Sequence, residues 1–548
     1  MDLRSTPPAP DADLPPEEDH LEEAEAEADA ESDDNEVRKA VPAWIISIVM
    51  HAVVLASLAA IIIATQPEKD EAPIQVTSLP PPPPEEQPKL EREVKPNEVT
   101  LEVEVESEVP SPVSELDVPV EEFNKEEEIE SEVPKGREEA TADSEMGGSG
   151  AFMAIGAGGG SAGMFGSRSG GGKKRALGQF GGNRASESAV DAALRWFKRH
   201  QGPQGEWHVS AYVANCTENP KCEPGTPEHC NAEQSTIALS GYAVLCFLGA
   251  GYDHRMPSKY KATVKAGLDW LVVQQKADGL FGDRNYEHAV ATMAIAEAYA
   301  MTNDPALREP AQKAVDVLKE RQNKDDAYGL GWDYTKATDR HDSSVTGWCL
   351  MALKSAAAGG LDIGETMTGG KVWLERAWKS CNPGWEKLDP YTGISDFPYV
   401  WRAKDNSFEH TFNSPNLTRG LGRDCAAIGG LCAVFLGYKA GDILLETLGN
   451  HIMKHQVPKG FPTNTYYLYY NTLGIFQLGG DRWQTWNGTV RDLLVNSQRR
   501  GDGCFDGSWD FTAKDFPGAG NGRILSTAYC CLSLEVYYRY APVAGKKK

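Results

Sequence analysis

A repeating pair of helical segments runs through the C-terminal two thirds of this 548-residue chain and limits its possible folds more than any other part of the sequence. The first segment of each pair is amphipathic and ends in a polar turn with glycine and an aromatic residue, as in VDAALRWFKRHQ followed by GPQGEW. The second is apolar on nearly all sides, as in STIALSGYAVLCFLGAG. Six pairs follow one another over residues 186–544, roughly 60 residues apart. The pattern predicts an all-α double ring with amphipathic helices outside, and an open solenoid is the alternative.

The turns inside these pairs share a motif. An intact Gln-x-x-x-Gly-x-Trp runs from Gln201 to Trp207, and looser copies lie at 275–281, 322–332 and 498–505. The motif resembles the QW motif of squalene-type cyclases, and residues 186–544 resemble the α/α toroid of terpenoid cyclases and protein prenyltransferases. The resemblance implies an (α/α)6 toroid, in which the glutamine caps helix ends, the glycine permits a tight turn and the aromatic ring stacks in the wall. It says little about a reaction.

The third apolar helix is preceded by Asp339-Arg340-His341-Asp342. This segment resembles the Asp-x-Asp-Asp motif with which squalene–hopene cyclases protonate their substrate, and the resemblance makes Asp339, His341 and Asp342 the candidate catalytic residues. The donor position holds His341, and an imidazole is a far weaker acid than alkene protonation needs. The alternative is a structural helix start with Asp342 or Ser343 as its N-cap.

Metal and disulfide chemistry have weaker signals. The prenyltransferase resemblance implies zinc held by Asp, Cys and His, and the candidates are His410, Asp424 and Cys425. Because Asp424 and Cys425 are adjacent, they match spaced ligands poorly, and we predict no metal and no cofactor. A polar insertion in the first pair also holds Cys216, Cys222 and Cys230. In an exported loop they suggest one disulfide and a spare thiol, with zinc as the alternative.

The charge of the chain is concentrated in its N-terminal quarter. Residues 1–145 hold 40 acidic and 10 basic residues, whereas the remainder holds 40 and 44. The acidic part has few aromatic residues and cannot bury a core, apart from one short apolar run. We therefore predict a disordered cytoplasmic tail over 1–40, a disordered Pro/Glu-rich spacer over 66–146 and a Gly-rich linker over 147–185. No nucleic-acid partner is predicted.

The apolar run, residues 41–65, carries no Lys, Arg, Asp or Glu. From Ala43 to Ala64 a helix would be about 33 Å long, close to a bilayer core of about 30 Å. A signal peptide is the competing interpretation, which the preceding acidic residues and the length of the run disfavour. Arg38 and Lys39 precede the run, so the positive-inside rule places the N-terminus in the cytoplasm. The chain is predicted to be a single-pass inner-membrane protein with a periplasmic toroid.

Ser47 and His51 lie four residues apart, on one face of this predicted transmembrane helix. A span with Ser-x-x-x-His, followed by PIQVTSLPPPPP and a Pro/Glu/Lys-rich spacer, resembles the front end of TonB-type energy transducers. The resemblance implies that Ser47 and His51 couple the chain to a proton-channel motor complex in the membrane. The alternative is that His51 packs at a helix interface or extends toward the headgroups.

Two functions are compatible with these features. In the first, the toroid is a membrane-anchored binding domain for a peptide, an envelope polymer or an isoprenoid. In the second, it is an isoprenoid-class enzyme, a terpene cyclase or prenyltransferase, acting in a central cavity. The first is favoured because each catalytic motif departs from its family. A deep apolar tunnel would favour the enzyme, and a filled or shallow polar centre would favour the binding domain. The residues expected to line such a tunnel are Trp348, Tyr466, Tyr469 and His341.

Overall fold

Six helix pairs make up most of the computed structural model, which describes residues 166–168, 170–227, 231–325, 329–410, 425–511 and 521–540. A first helix, α1 (Gly170–Phe180), precedes the pairs. The first members of the pairs are α2 (Arg184–Arg199), α4 (Lys261–Gln274), α6 (Pro305–Arg321), α8 (Thr366–Cys381), α10 (Ile443–His455) and α12 (Gly480–Ser497). The second members are α3 (Ala232–Gly249), α5 (Asn285–Thr302), α7 (Ser343–Ala358), α9 (Ala426–Phe435), α11 (Thr465–Leu478) and α13 (Gly522–Leu534). A last short helix, α14 (Val536–Arg539), follows them.

The second members form a closed inner ring. Each packs against the next in chain order, and α13 packs against α3. The first members form the outer layer, and each lies over two neighbouring inner helices, as α6 does over α5 and α7. The outer helix α2 bridges the two ends of the chain, because it contacts both α13 and α3. The predicted all-α toroid of six helix pairs is confirmed.

Local sequence explains both layers. The outer helix α2 begins at a capping box, in which Asn183 and Ser186 exchange side-chain to backbone hydrogen bonds of 2.8 and 3.0 Å. It buries one face, including Phe197, and exposes Arg195 on the other. Inner helices are buried on nearly all sides, and small residues bring them close together. A Cβ atom on Gly241 of α3 would lie 2.9 Å from a methyl group of α5.

The glutamine of each Gln-Gly-aromatic turn ties two outer helices together. Its side-chain Nε2 donates one hydrogen bond to a carbonyl of its own turn, at 2.7–3.0 Å. It donates a second to a carbonyl on the next outer helix, at 2.8–2.9 Å. The donors and second acceptors are Gln201 with Thr263, Gln275 with Pro310, Gln322 with Thr366, and Gln498 with Ala189. The last bond closes the ring, because Ala189 belongs to the first outer helix.

The aromatic and glycine residues of the turn also have specific structural roles. The indole Nε1 atoms of Trp207, Trp332 and Trp509 each donate a 2.8 Å hydrogen bond to a carbonyl near the end of the preceding outer helix. All three rings are fully buried. Gly507 has φ +92°, and a Cβ atom there would collide with the carbonyl oxygen of Ala192 on α2. Only glycine therefore fits at this closing turn.

The long connections gather at one end of the ring. The chain passes from outer to inner helices through residues 200–231, 322–342, 382–425 and 498–521, whereas most returns are short. Because the chain alternates between the layers, these connections share one end, here called the loop end. Three short strands lie there, β1 (Arg340–Asp342), β2 (Val400–Arg402) and β3 (Phe408–Glu409). They pair antiparallel in that order, with His341 opposite Trp401.

Four ionisable side chains are buried at the opposite end. Arg168 Nη1 lies 2.7 Å from Glu297 Oε1, and Arg539 Nη2 lies 3.1 Å from both carboxylate oxygens of Glu297. Arg539 Nη1 is also 3.5 Å from Glu535 Oε2, and all four side chains are at most 4% exposed. Arg168 Nη1 also donates to the Leu248 carbonyl at 3.1 Å, so Arg168 fixes the entering chain against the far ends of α3 and α5.

Part of the predicted Gly-rich linker over 147–185 is helical. Residues 170–180 form α1, and the segment from residue 166 onward packs against α14. Lys173 pairs with Glu187 at 2.8 Å, and its Nζ lies 4.3 Å from the centre of the Tyr538 ring. Glycine content predicts flexibility, but it does not show that basic side chains in the same segment have partners on the folded ring.

Among the described residues, no helix combines the length and apolar character needed to cross a bilayer. The predicted span over 41–65, with Ser47 and His51, lies outside the described residues. So do the tail over 1–40 and the spacer over 66–146.

Candidate functional site

Seven aromatic side chains meet inside the ring. They come from five inner helices: Tyr242, Tyr286, Trp348, Tyr466, Tyr469, Tyr470 and Tyr529. Trp348 on α7 stacks on Tyr469 of α11, with 6.1 Å between ring centroids, and meets Tyr242 of α3 edge-on at 5.0 Å. Since α7 is next to neither α3 nor α11 in the ring, these contacts cross it, and the side chains lie on its axis. We call this cluster the aromatic plug.

Hydrogen bonds hold the plug together. Trp348 Nε1 donates to the Tyr286 hydroxyl at 3.0 Å, and the Tyr242 hydroxyl donates to the same oxygen at 3.3 Å. The Tyr529 hydroxyl donates to that of Tyr242 at 2.9 Å. Burial raises the pKa of Tyr242 and of Tyr529 well above the usual value for tyrosine, so both hydroxyls stay protonated. The plug therefore offers no phenolate that could serve as a base.

The residues predicted to line a cavity belong to this plug. Trp348, Tyr466 and Tyr469 are at most 5% exposed and pack against other aromatic rings. Neither of the two best-formed pockets among the described residues includes any of them. The first of these pockets lies beside the start of α11 and has a volume of about 10 Å³, room for about one water molecule. Pockets for small-molecule ligands usually measure about 300–1,000 Å³.

Asp342 caps the helix that follows it. Its Oδ1 accepts hydrogen bonds from the backbone N–H groups of Ser344 and Val345, at 3.0 and 3.1 Å, and from the Ser344 hydroxyl at 2.5 Å. Its Oδ2 lies 3.2 Å from Arg340 Nη2. The side chain is fully buried. The structure thus uses both carboxylate oxygens to start α7 and to bind a guanidinium, as an N-cap residue does.

His341 and Asp339 are placed differently from an acid pair. The His341 ring is buried against Trp401, and its Nδ1 lies 3.0 Å from the carbonyl oxygen of Asp339 and 3.3 Å from that of Trp401. Burial lowers the pKa of His341 to about 4, so the ring is neutral near pH 7. Asp339 itself is exposed. His341 and Asp342 are therefore neighbours on β1. Neither side chain presents an acidic proton to a cavity in which a substrate could lie.

The cysteines of the first connection have a partner that the sequence analysis missed. Cys216 and Cys222 lie beside His200, the residue that follows α2. Cys230 and Asp424 lie outside the described residues, and Cys425 and His410 are described but take part in no cluster of metal-binding side chains found there. His200 stands in the sequence next to the conspicuous Gln201 motif, sixteen residues before the first cysteine. Only folding of the connection brings it to them.

Comparison with known proteins supports no assignment to a family. No protein-family model matches the chain, and no curated protein matches it. Solved structures similar to it include the GH76A α-1,6-mannanase of Salegentibacter sp. HEL1_6, at 13% identity, a TM-score of 0.44 and coverage of 64% of this chain and 98% of that one. The unsaturated glucuronyl hydrolase of Bacillus sp. GL1 has 15% identity, a TM-score of 0.43 and coverage of 65% and 99%. The type II terpene cyclase MstE of Scytonema has 12% identity, a TM-score of 0.39 and coverage of 66% and 98%.

Proposed function

We propose that this chain is a single-pass inner-membrane protein whose toroid is a periplasmic binding domain. The observation that carries the proposal is the aromatic plug, which occupies the ring axis where an isoprenoid enzyme would need to enclose its substrate. The second observation is chemical, because neither His341 nor Asp342 is presented as a strong acid. A peptide or an envelope polymer, bound on a surface, is the ligand class that fits a filled ring.

The loop end is the proposed binding face. Connecting segments on a rigid scaffold commonly carry binding residues. Tyr391 and Phe408, both on the connection from α8 to α9, are 70% and 38% exposed, and exposed aromatic rings are frequent anchors at interfaces. Arg168 is buried at the opposite end of the ring, so the described part of the chain begins on the side away from this face.

The alternative function, an isoprenoid-class enzyme, has a direct test. The full chain in detergent micelles is incubated with squalene and, separately, with prenyl diphosphates, and products are analysed by mass spectrometry. We expect no product from the wild type or from Asp342→Asn, because both candidate side chains are buried and Asp342 is bonded as a helix cap. A squalene cyclase assayed in parallel verifies the conditions. Turnover by the wild type that is lost in Asp342→Asn, with helix content unchanged, would contradict the binding-domain proposal.

Coupling to a proton-driven motor is the membrane part of the proposal. His51 and Ser47 are polar residues in an otherwise apolar run, where an ionisable side chain is rarely kept without a role. We expect His51→Ala and Ser47→Ala to lose co-purification with a proton-channel complex after mild cross-linking of intact membranes. Val53→Ala, which alters another face of the same predicted helix, is expected to retain it. Equal recovery of the complex by all three variants would count against coupling.

A further inference from the structure

Four side chains with metal-binding atoms meet where the last repeat joins the first. His200 follows α2, Cys216 and Cys222 lie in the connection to α3, and Cys504 lies in a short 3₁₀ helix after α12. His200 Nε2 is 3.4 Å from Cys216 Sγ and 3.7 Å from Cys222 Sγ. All four side chains are at most 5% exposed. The cluster is therefore built into the seam of the ring and not onto its surface.

The separations match tetrahedral zinc. Zn–S bonds of about 2.3 Å and Zn–N bonds of about 2.0–2.1 Å, at tetrahedral angles, place a sulfur and a nitrogen ligand about 3.6 Å apart. The two observed separations lie on either side of that value, and the ligand atoms of His200, Cys216 and Cys222 are all within 4.8 Å of one another. The cysteines are free thiols, so no disulfide joins them. The arrangement favours the zinc alternative over the disulfide that the sequence suggests.

Hydrogen bonds from surrounding groups orient the histidine and donate to the sulfur atoms of the cluster. His200 Nδ1 donates to the carbonyl oxygen of Trp196 at 2.8 Å, which leaves the lone pair of Nε2 directed toward the sulfurs. The backbone N–H of Cys222 donates to Cys216 Sγ at 3.4 Å, and that of Glu218 donates to Cys504 Sγ at 3.2 Å. Backbone N–H donors stabilise thiolates. A zinc-binding histidine usually donates its other ring N–H to a carbonyl or carboxylate, as His200 does here.

Cys504 is the candidate for the fourth ligand. Its Sγ accepts the Glu218 backbone N–H at 3.2 Å, and its carbonyl oxygen lies 3.2 Å from Cys222 Sγ. Its backbone is fixed to the first repeat, because its N–H donates to the Pro220 carbonyl at 3.1 Å and its carbonyl accepts from Trp196 Nε1 at 2.9 Å. The ligand atoms that lie within 4.8 Å of one another are those of His200, Cys216 and Cys222, and with Cys504 as the fourth ligand one histidine and three cysteines would fill all four positions of a tetrahedral ion. A site with no open position is typical of structural zinc and leaves no place for a substrate.

We infer that His200, Cys216, Cys222 and Cys504 bind a structural zinc ion that clamps the last repeat of the toroid to the first. The ion would act beside Gln498, whose side chain closes the outer layer through Ala189. A ring of repeats has one junction that chain connectivity does not maintain, and this is the junction at which the four ligands converge. The inference revises the sequence prediction of no metal. It does not depend on what the toroid binds.

The test is the metal content of the full chain, purified under reducing conditions and analysed by inductively coupled plasma mass spectrometry. We expect about one zinc ion per chain in the wild type and less than about a tenth of that in Cys222→Ser. Cys381→Ser is the matched control, because Cys381 is a part-buried thiol on α8 outside the cluster, and it should keep the ion. Zinc retained equally by Cys222→Ser, or absent from the wild type, would overturn the inference.

Cobalt substitution gives a readout that does not depend on whether Cys222→Ser folds. Wild-type protein stripped with a chelator is titrated with Co²⁺, and absorbance is recorded in the near-ultraviolet, where thiolate-to-cobalt charge transfer occurs, and in the visible. We expect a saturable charge-transfer band and visible bands of tetrahedral intensity. In Cys504→Ser the charge-transfer band should fall to about two thirds, since two thiolates remain of three. Weak octahedral cobalt bands without charge transfer in the wild type would contradict the site.

Discussion

Replacing Glu297 with glutamine is expected to lower the free energy of unfolding of the toroid by about 3–5 kcal/mol. The Glu297 carboxylate lies within 3.1 Å of both Arg168 and Arg539, and none of the three side chains is more than 4% exposed. Glutamine keeps the shape but removes the charge. Burial raises the pKa of Glu535 to about 8, so near pH 7 the two guanidinium groups would share the low-dielectric interior without a full counter-charge. An unbalanced buried charge is far more costly than a lost surface pair.

Urea unfolding of the full chain, followed by tryptophan fluorescence, measures this loss. The signal reports on the ring because every tryptophan except Trp44 lies in it. Asp269→Asn is the matched control, because it also removes one carboxylate from an ion pair. The Asp269 and Lys265 side chains of that pair are 62% and 57% exposed. We expect less than about 1 kcal/mol for that change. Similar losses for both variants would show that the Glu297 pairs are accessible to water.

Replacing Trp348 with alanine is expected to destabilise the toroid by a similar amount, about 3–5 kcal/mol. The Trp348 ring is fully buried, contacts Tyr242 and Tyr469 across the axis, and donates a hydrogen bond to Tyr286. Its removal leaves a cavity that the surrounding inner helices can fill only in part, because they are fixed by their own neighbours.

The same unfolding measurement on Trp385→Ala provides the comparison. Trp385 lies in a short 3₁₀ helix at the loop end, just after α8, and is only partly buried. Because its surroundings can relax and water can enter, we expect the loss there to be much smaller. Equal losses at the two positions would mean that the Trp348 side chain is not enclosed.

The ring could be predicted from the sequence because the same helical pattern occurs six times. Six copies of an amphipathic helix followed by an apolar helix specify both layers, and the four glutamines of the turns all make the same two hydrogen bonds. What the sequence motif did not indicate is the second bond, from each turn to the next outer helix. That contact depends on how neighbouring pairs pack, which no single copy of the motif contains.

The centre and the seam of the ring could not be predicted in the same way. Tyr242, Trp348 and Tyr469 lie on three different inner helices, so a side chain that lines a cavity and one that fills it look alike in sequence. The proposed zinc site includes residues as far apart in sequence as His200 and Cys504, and no spacing rule links them. The role of Arg168 could not be predicted, because it lies in a glycine-rich segment and its acidic partner Glu297 is 129 residues away. Each of these depends on closure of the ring.

The filled axis is tested most directly by the binding of indole, measured by isothermal titration calorimetry on the wild type and on Trp348→Ala. Indole matches the group that the substitution removes, and an enclosed apolar cavity binds a ligand of its own shape. We expect saturable binding to Trp348→Ala, with recovery of part of its lost stability, and no binding to the wild type. Saturable binding of indole by the wild type, abolished when the neighbouring Tyr469 is replaced by tryptophan, would show an open cavity at the axis and contradict the account.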